Sequence, residues 1–177
     1  MRREEGMTLV ELLIAMIVLT VGILALVAAY SSGYVALNRA TRVSSARLVA
    51  DAQMERFRAV QYSAIQLNTS CGSSCSEDST YTSDTAYSST AQVTGASCAS
   101  TEPTCLPTQT KTGPDGKSYR LDTYIDYGCV SGTLTTAPLS CGSGNPYPVK
   151  VITVVVRSSS LTTPVREQST FTTFPGG

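Results

Sequence analysis

The sequence contains neither histidine nor tryptophan among its 177 residues. Without histidine, the chain lacks the general base of Ser-His-Asp and Cys-His catalysis and the usual proton carrier at neutral pH. Charge is sparse and balanced, with 13 basic and 13 acidic residues, so no basic surface is available to attract nucleic acid. These absences argue against an enzyme, a resident cofactor, a His-bearing metal site and a nucleic-acid partner.

Proline and cysteine are both missing from the first third of the chain. All six cysteines and all eight prolines follow Leu67, where serine and threonine also become frequent. The length fits one ordinary domain, and the change in composition divides it into an N-terminal part and a Ser/Thr-rich, Cys-containing β head at residues 67–177. Abundant serine and threonine with only 15% charged residues are more typical of an extracellular surface than of a cytosolic enzyme.

The N-terminal part predicts one long helix. No residue from Leu12 to Asn38 is charged, and such a run is long enough to cross a bilayer, which takes about 20 apolar residues. Beyond it, charged residues alternate with apolar residues at helical spacing. We therefore predict a continuous helix from Met7 to Gln66, with a hydrophobic transmembrane segment at 7–30 and an amphipathic continuation at 31–66.

The head predicts an antiparallel sheet. Apolar and polar residues alternate through Tyr119–Tyr127, which is the clearest strand pattern in the chain. Val149–Val156 is apolar on both faces, so we expect it to be central or covered by the helix. Glu167–Phe174 is expected as an edge strand, and 68–118 as loop with one weak strand near Ala86–Val93.

Glu11 stands at the start of the apolar run. A carboxylate in the centre of a membrane costs about 2.5 to 3.5 kcal/mol on insertion scales, so it requires a partner. Alternatively, it lies at the membrane interface, where a negative charge suits the N-terminus of a helix. A secretory signal peptide cleaved near Val27-Ala28-Ala29 would also explain a hydrophobic start, but the leader charges are mixed and the uncharged run is too long.

The segment Gly6-Met7-Thr8-Leu9-Val10-Glu11-Leu12-Leu13-Ile14-Ala15 resembles the class III signal of type IV prepilins and type II secretion pseudopilins. The resemblance implies that a leader at residues 1–6 is removed by prepilin peptidase between Gly6 and Met7. Met7 then becomes the N-methylated first residue. Glu11 is expected to neutralise the terminal ammonium of a neighbouring subunit as the helices stack in a filament.

This resemblance implies an α+β, type IV pilin fold, with a half-transmembrane helix packed on an antiparallel sheet whose loops are closed by disulfides. The implied function is that of a structural, minor-pilin-like subunit of a type IV pilus or related filament. Its partners would be other pilin subunits, prepilin peptidase and the pilus assembly platform. The chain would reside in the inner membrane as a single-pass protein with its head outside the cytoplasm, and then in an extracellular filament. The alternatives are a pseudopilin of a type II secretion system and a signal-anchored adhesive protein without a filament.

The cysteines form an even set confined to the head, which favours disulfides. Six cysteines allow 15 pairings, and sequential pairing through short loops is the arrangement that we expect. It joins Cys71 with Cys75, Cys98 with Cys105, and Cys129 with Cys141. A four-cysteine zinc site, or a redox pair at the first two cysteines, is the rival interpretation, although their spacing is not C-x-x-C.

Tyrosine accounts for nine of the twelve aromatic residues. Several tyrosines lie in or beside turn-rich segments, namely Tyr81, Tyr87, Tyr119 and Tyr147. Exposed tyrosines in loops can form adhesive surfaces. The other interpretation is that they pack within the head.

Overall fold

A computed structural model of the chain describes residues 9–69, 77–95, 99, 101–129, 148–159, 161 and 163–172. The chain forms two compact units, Met1–Thr41 and Arg42–Gly177. Helix α1, Leu9–Arg58, begins in the first unit and ends in the second. The first unit contributes only helix among its described residues, whereas the second contains the sheet.

Helix α1 confirms the predicted continuous helix but ends at Arg58, not at Gln66. Gln61 adopts an extended conformation, and a short 3-10 helix follows at Tyr62–Ala64. The chain turns here because the next apolar side chains, Ile65 and Leu67, are buried in the core. No proline or glycine marks the turn, so the sequence alone did not indicate it.

The head contains one antiparallel four-stranded sheet in the order β1-β2-β3-β4. Its strands are β1 Thr108–Thr112, β2 Ser118–Cys129, β3 Pro148–Arg157 and β4 Val165–Thr172. The three predicted strands correspond to β2, β3 and β4, with β3 central and β4 at an edge. Strand β1 lies within the predicted loop. The sequence did not indicate it, because TQTKT shows no alternation of apolar and polar residues. Its regular structure comes from pairing with β2.

The weak strand predicted near Ala86–Val93 is wrong as a regular strand. A one-turn helix, α2 (Ser79–Thr82), precedes it, and only an isolated bridge joins Gln92 to Asp126. The Val93 amide donates a hydrogen bond to the Ile125 carbonyl at 2.7 Å. The Tyr127 amide in turn donates to the Ala91 carbonyl at 2.8 Å, so residues 91–93 lie beside the C-terminal half of β2 and form a single bridge rather than a ladder.

The principal core lies between the C-terminal half of α1 and one face of the sheet. Met54 and Phe57 of the helix are fully buried. They belong to a cluster with sheet residues Leu121, Ile125, Ile152, Val154 and Val156. A long apolar helix followed by a four-stranded antiparallel sheet is an α+β, type IV pilin-like architecture.

The opposite face of the sheet is also covered. Tyr81 of α2 stacks on Tyr124 of β2 with ring centroids 4.3 Å apart, and both pack with Val155. The Tyr81 hydroxyl donates to the Thr123 carbonyl at 2.6 Å, and the Tyr124 hydroxyl donates to the Tyr81 carbonyl at 3.0 Å. Segment 77–95 is therefore fastened to the sheet by buried tyrosines.

Candidate functional site

The first unit exposes a long apolar helix surface. Every described residue from 9 to 41 is exposed, and large apolar side chains such as Leu9 and Val18 are 80% and 65% accessible. This part of α1 is long and apolar enough to cross a membrane. Because a surface of this size is unfavourable in water, it calls for a bilayer or other apolar helices around it.

Glu11 lies in the first turn of α1, where its negative charge complements the positive end of the helix dipole. It borders a shallow apolar groove formed by Val10, Ile14, Ala15, Val18 and Leu19. Gly6 and Met7 lie outside the described residues. Cleavage between them, methylation of Met7 and its pairing with Glu11 therefore remain predictions.

Cys105 is the cysteine whose side chain lies within the described part of the structure. It is buried and disulfide-bonded. Cys71, Cys75, Cys98 and Cys141 lie outside the described residues, as does the side chain of Cys129. The sequential pairing and the rival zinc site thus remain untested, while no group of three metal-binding side chains occurs within the described part of the chain.

The tyrosines in the described turn-rich segments pack inward. Tyr81 and Tyr119 are fully buried, and Tyr87 is partly buried against Tyr81. The Tyr119 hydroxyl donates a 2.8 Å hydrogen bond to Asp115. Packing within the head is therefore the correct interpretation for these three residues, while Tyr147 lies outside the described residues.

A network of ion pairs, not foreseen from the sequence, occupies the tyrosine-covered face of the sheet. Asp122 is fully buried and accepts hydrogen bonds from Arg120 Nε and Arg157 Nε, each at 2.7 Å. Arg120 also binds both carboxylate oxygens of Asp78 at 2.6 and 2.7 Å. These bonds lower the pKa of Asp78 to about 2.

The network continues through Asp84, which bonds to Arg157. Arg166 of β4 holds the two carboxylate oxygens of Asp84 at 2.7 and 2.8 Å. Burial tends to raise the pKa of Asp84, but the bonds to Arg166 and the charge of Arg157 outweigh it and lower the pKa. The network links segment 77–84 to three strands.

Asp126 differs from its neighbours on β2. Its carboxyl takes part in none of the hydrogen bonds or ion pairs found among the described residues, although the residue is only 4% accessible. Burial raises its pKa to about 7. It lines a cavity of about 300 Å³ between the sheet and the turn at Thr85 and Ala86. Asp122 and Asp126, four residues apart on the polar positions of an alternating strand, were the available sequence signal.

Lys150 is the corresponding buried cation on the helix-facing side of the sheet. Its ammonium donates to the carbonyls of Tyr62 and Ile65 at 2.8 and 2.6 Å. It also lies 4.6 Å from the centre of the Tyr62 ring, and burial lowers its pKa. Lys150 therefore holds the turn that follows α1 against β3, which suits a structural role.

Comparison with known families identifies the N-terminus. Residues 1–27 match the prokaryotic N-terminal methylation motif. Comparisons with curated proteins and with solved structures gave no match. The first 27 residues are therefore the class III signal peptide of type IV prepilins and pseudopilins, carried on a protein with a pilin-like α+β architecture.

Proposed function

We propose that this protein is a minor-pilin-like structural subunit of a type IV pilus or related filament. Prepilin peptidase cuts between Gly6 and Met7, and the new Met7 amine is methylated. The chain waits in the inner membrane with its head outside the cytoplasm and then enters the filament through the assembly platform, packing against other pilin subunits.

The observation that carries this proposal is the fully exposed apolar helix bearing Glu11 near its start. A membrane anchor alone needs the apolar residues, and a carboxylate in its first turn adds only a helix-dipole interaction of about 0.3 to 1 kcal/mol. Pairing with the terminal ammonium of a neighbouring subunit gives the carboxylate a counter-charge in a water-poor helix bundle. Such a buried pair acts mainly on the register between subunits.

The first experiment is an intact mass of protein recovered from membranes and from sheared filaments. The expected chain begins at Met7 and carries one additional methyl group. Gly6→Ala should retain the leader. A mature N-terminus near Tyr30 would instead establish ordinary signal-peptide cleavage and would refute the filament proposal.

The second experiment tests Glu11 by fractionation of a strain that expresses a head-tagged protein. Glu11→Val should be cleaved and stable in the membrane but lost from sheared filaments, because removing the charge eases insertion while removing the partner of the ammonium. Ile14→Val, a small apolar change in the same part of α1, is the matched control and should enter filaments normally. Wild-type incorporation of Glu11→Val would refute the pairing.

A pseudopilin of a type II secretion system is the second candidate, since the matched motif is common to both classes. Deletion of the gene separates the two. Loss of protein export with surface filaments intact would identify the pseudopilin, whereas loss of filaments would identify the pilin. A signal-anchored adhesive protein would keep its leader and would be absent from both assemblies.

A further inference from the structure

The cavity at Asp126 lies on the tyrosine-covered face of the sheet. Val151 faces Asp126 across the β2–β3 ladder, and Thr153 faces Gln168 across the β3–β4 ladder. Thr85 and Ala86 of segment 77–95 also line the cavity. Its volume of about 300 Å³ is at the lower end of the range for small-molecule sites.

The charged groups around the cavity leave the carboxyl of Asp126 without a counter-charge within the described residues. Arg166 lies at the rim, but both of its terminal nitrogens bind Asp84. Glu167 also lines the cavity, and its carboxyl hydrogen-bonds to Asp51 of α1. A buried carboxyl that no described residue compensates is costly, so the site is suited to a cationic ligand.

The neighbouring polar groups favour a primary ammonium. Gln168 and Thr153 line the same cavity, and Gln168 Nε2 donates to Thr153 Oγ1 at 3.2 Å, which leaves the Gln168 side-chain oxygen as an acceptor in the cavity lining. An ammonium has three donors and no acceptor, and a carboxylate, an amide oxygen and a hydroxyl can receive them. A divalent metal would require more carboxylate ligands than Asp126 alone can supply, since the carboxyl of Glu167 is bonded to Asp51.

We propose that this cavity binds a protonated primary amine, with the ammonium at Asp126 and the aliphatic stem against Ala86 and Val151. The amine is either a free small molecule or a lysine side chain presented by another protein. The site does not depend on filament assembly. It would give the head a ligand-recognition function besides its structural one.

The test is a titration of the full-length mature chain in detergent micelles with n-butylamine, followed by amide chemical shifts. At pH 8.5 the amine is protonated, since alkylammonium groups resemble lysine with a pKa of about 10.4. Saturable shifts are expected at Thr85, Val151 and Gln168. Asp126→Asn should weaken binding about tenfold or more, because it removes the charge from a charge-assisted hydrogen bond.

Glu102→Gln is the matched control, because it removes an exposed carboxylate that does not line this cavity. It should bind n-butylamine as the wild type does. Absence of saturable shifts in the wild type, or equal binding by Asp126→Asn, would overturn the proposal. A second titration uses Nα-acetyl-lysine methylamide. Weaker binding than n-butylamine would support a free amine as the ligand, and equal or tighter binding would support a lysine side chain.

Discussion

Replacing Asp126 by asparagine should stabilise the head at high pH and change little at low pH. Asparagine has nearly the shape of aspartate and carries no charge at any pH. The other charged residues that line the cavity, Arg166 and Glu167, are already engaged with Asp84 and Asp51 respectively. The substitution therefore isolates the cost of burying one ionised carboxyl.

The magnitude follows from the pKa of Asp126, which burial raises from its usual 3.8 to about 7. A group whose pKa is higher in the folded state binds its proton more tightly there, so it contributes most to stability below pH 3.8. That contribution is lost as the pH rises from about 4 through 7. The difference in pKa is about 3 units, which corresponds to about 4 kcal/mol in the free energy of unfolding.

The assay is urea unfolding of the full-length wild type and Asp126→Asn in micelles between pH 4 and pH 9. Amine-free buffers are required because an amine would bind and stabilise the wild type. The variant should match the wild type at pH 4 and exceed it by up to about 4 kcal/mol at pH 9. Glu102→Gln, an exposed change, should stay within about 0.5 kcal/mol of the wild type. A constant difference between Asp126→Asn and the wild type across this range would refute the reasoning.

Three further outcomes are expected for the head. Phe57→Ala should lower the free energy of unfolding by about 3 to 5 kcal/mol because the ring is fully buried, whereas Leu48→Ala removes an exposed side chain and should cost far less. Urea unfolding measures both variants, and similar losses would contradict this core. Asp122→Ala should lower the free energy of unfolding by about 3 to 5 kcal/mol, since it leaves Arg120 and Arg157 without their buried partner. A decrease under 1 kcal/mol in the same assay would contradict that role. Alkylation without reduction should leave Cys105 unlabelled in exported protein, as judged by peptide mass, whereas labelling would show a free thiol.

Local patterns were sufficient for the parts of the fold that depend on neighbouring residues. The long uncharged run predicted the exposed apolar helix, and alternation predicted β2. The β-branched run of β3 predicted a strand that is central or covered by the helix, and the structure shows both, since β3 lies between β2 and β4 and packs against α1. The processing motif is likewise a property of consecutive residues.

The remaining features depend on contacts between distant residues. Helix α1 ends at Arg58 because Ile65 and Leu67 are buried in the core. Lys150 also holds the turn by binding the backbone carbonyls of Tyr62 and Ile65. Strand β1 exists because β2 offers it hydrogen-bonding partners. No local pattern contains either interaction.

The sequence by itself determined the apolar helix and the strands that follow it, through composition and spacing along the chain, while its resemblance to prepilin signals indicated the processing signal and the α+β class. The tertiary structure alone decided the environment of the charged residues in β2. Asp122 and Asp126 point to the same face of one strand, yet the first is compensated by two arginines and the second lines a cavity. The difference arises because the residues beside them come from β3, β4 and segment 77–95, whose positions are set only when the chain folds.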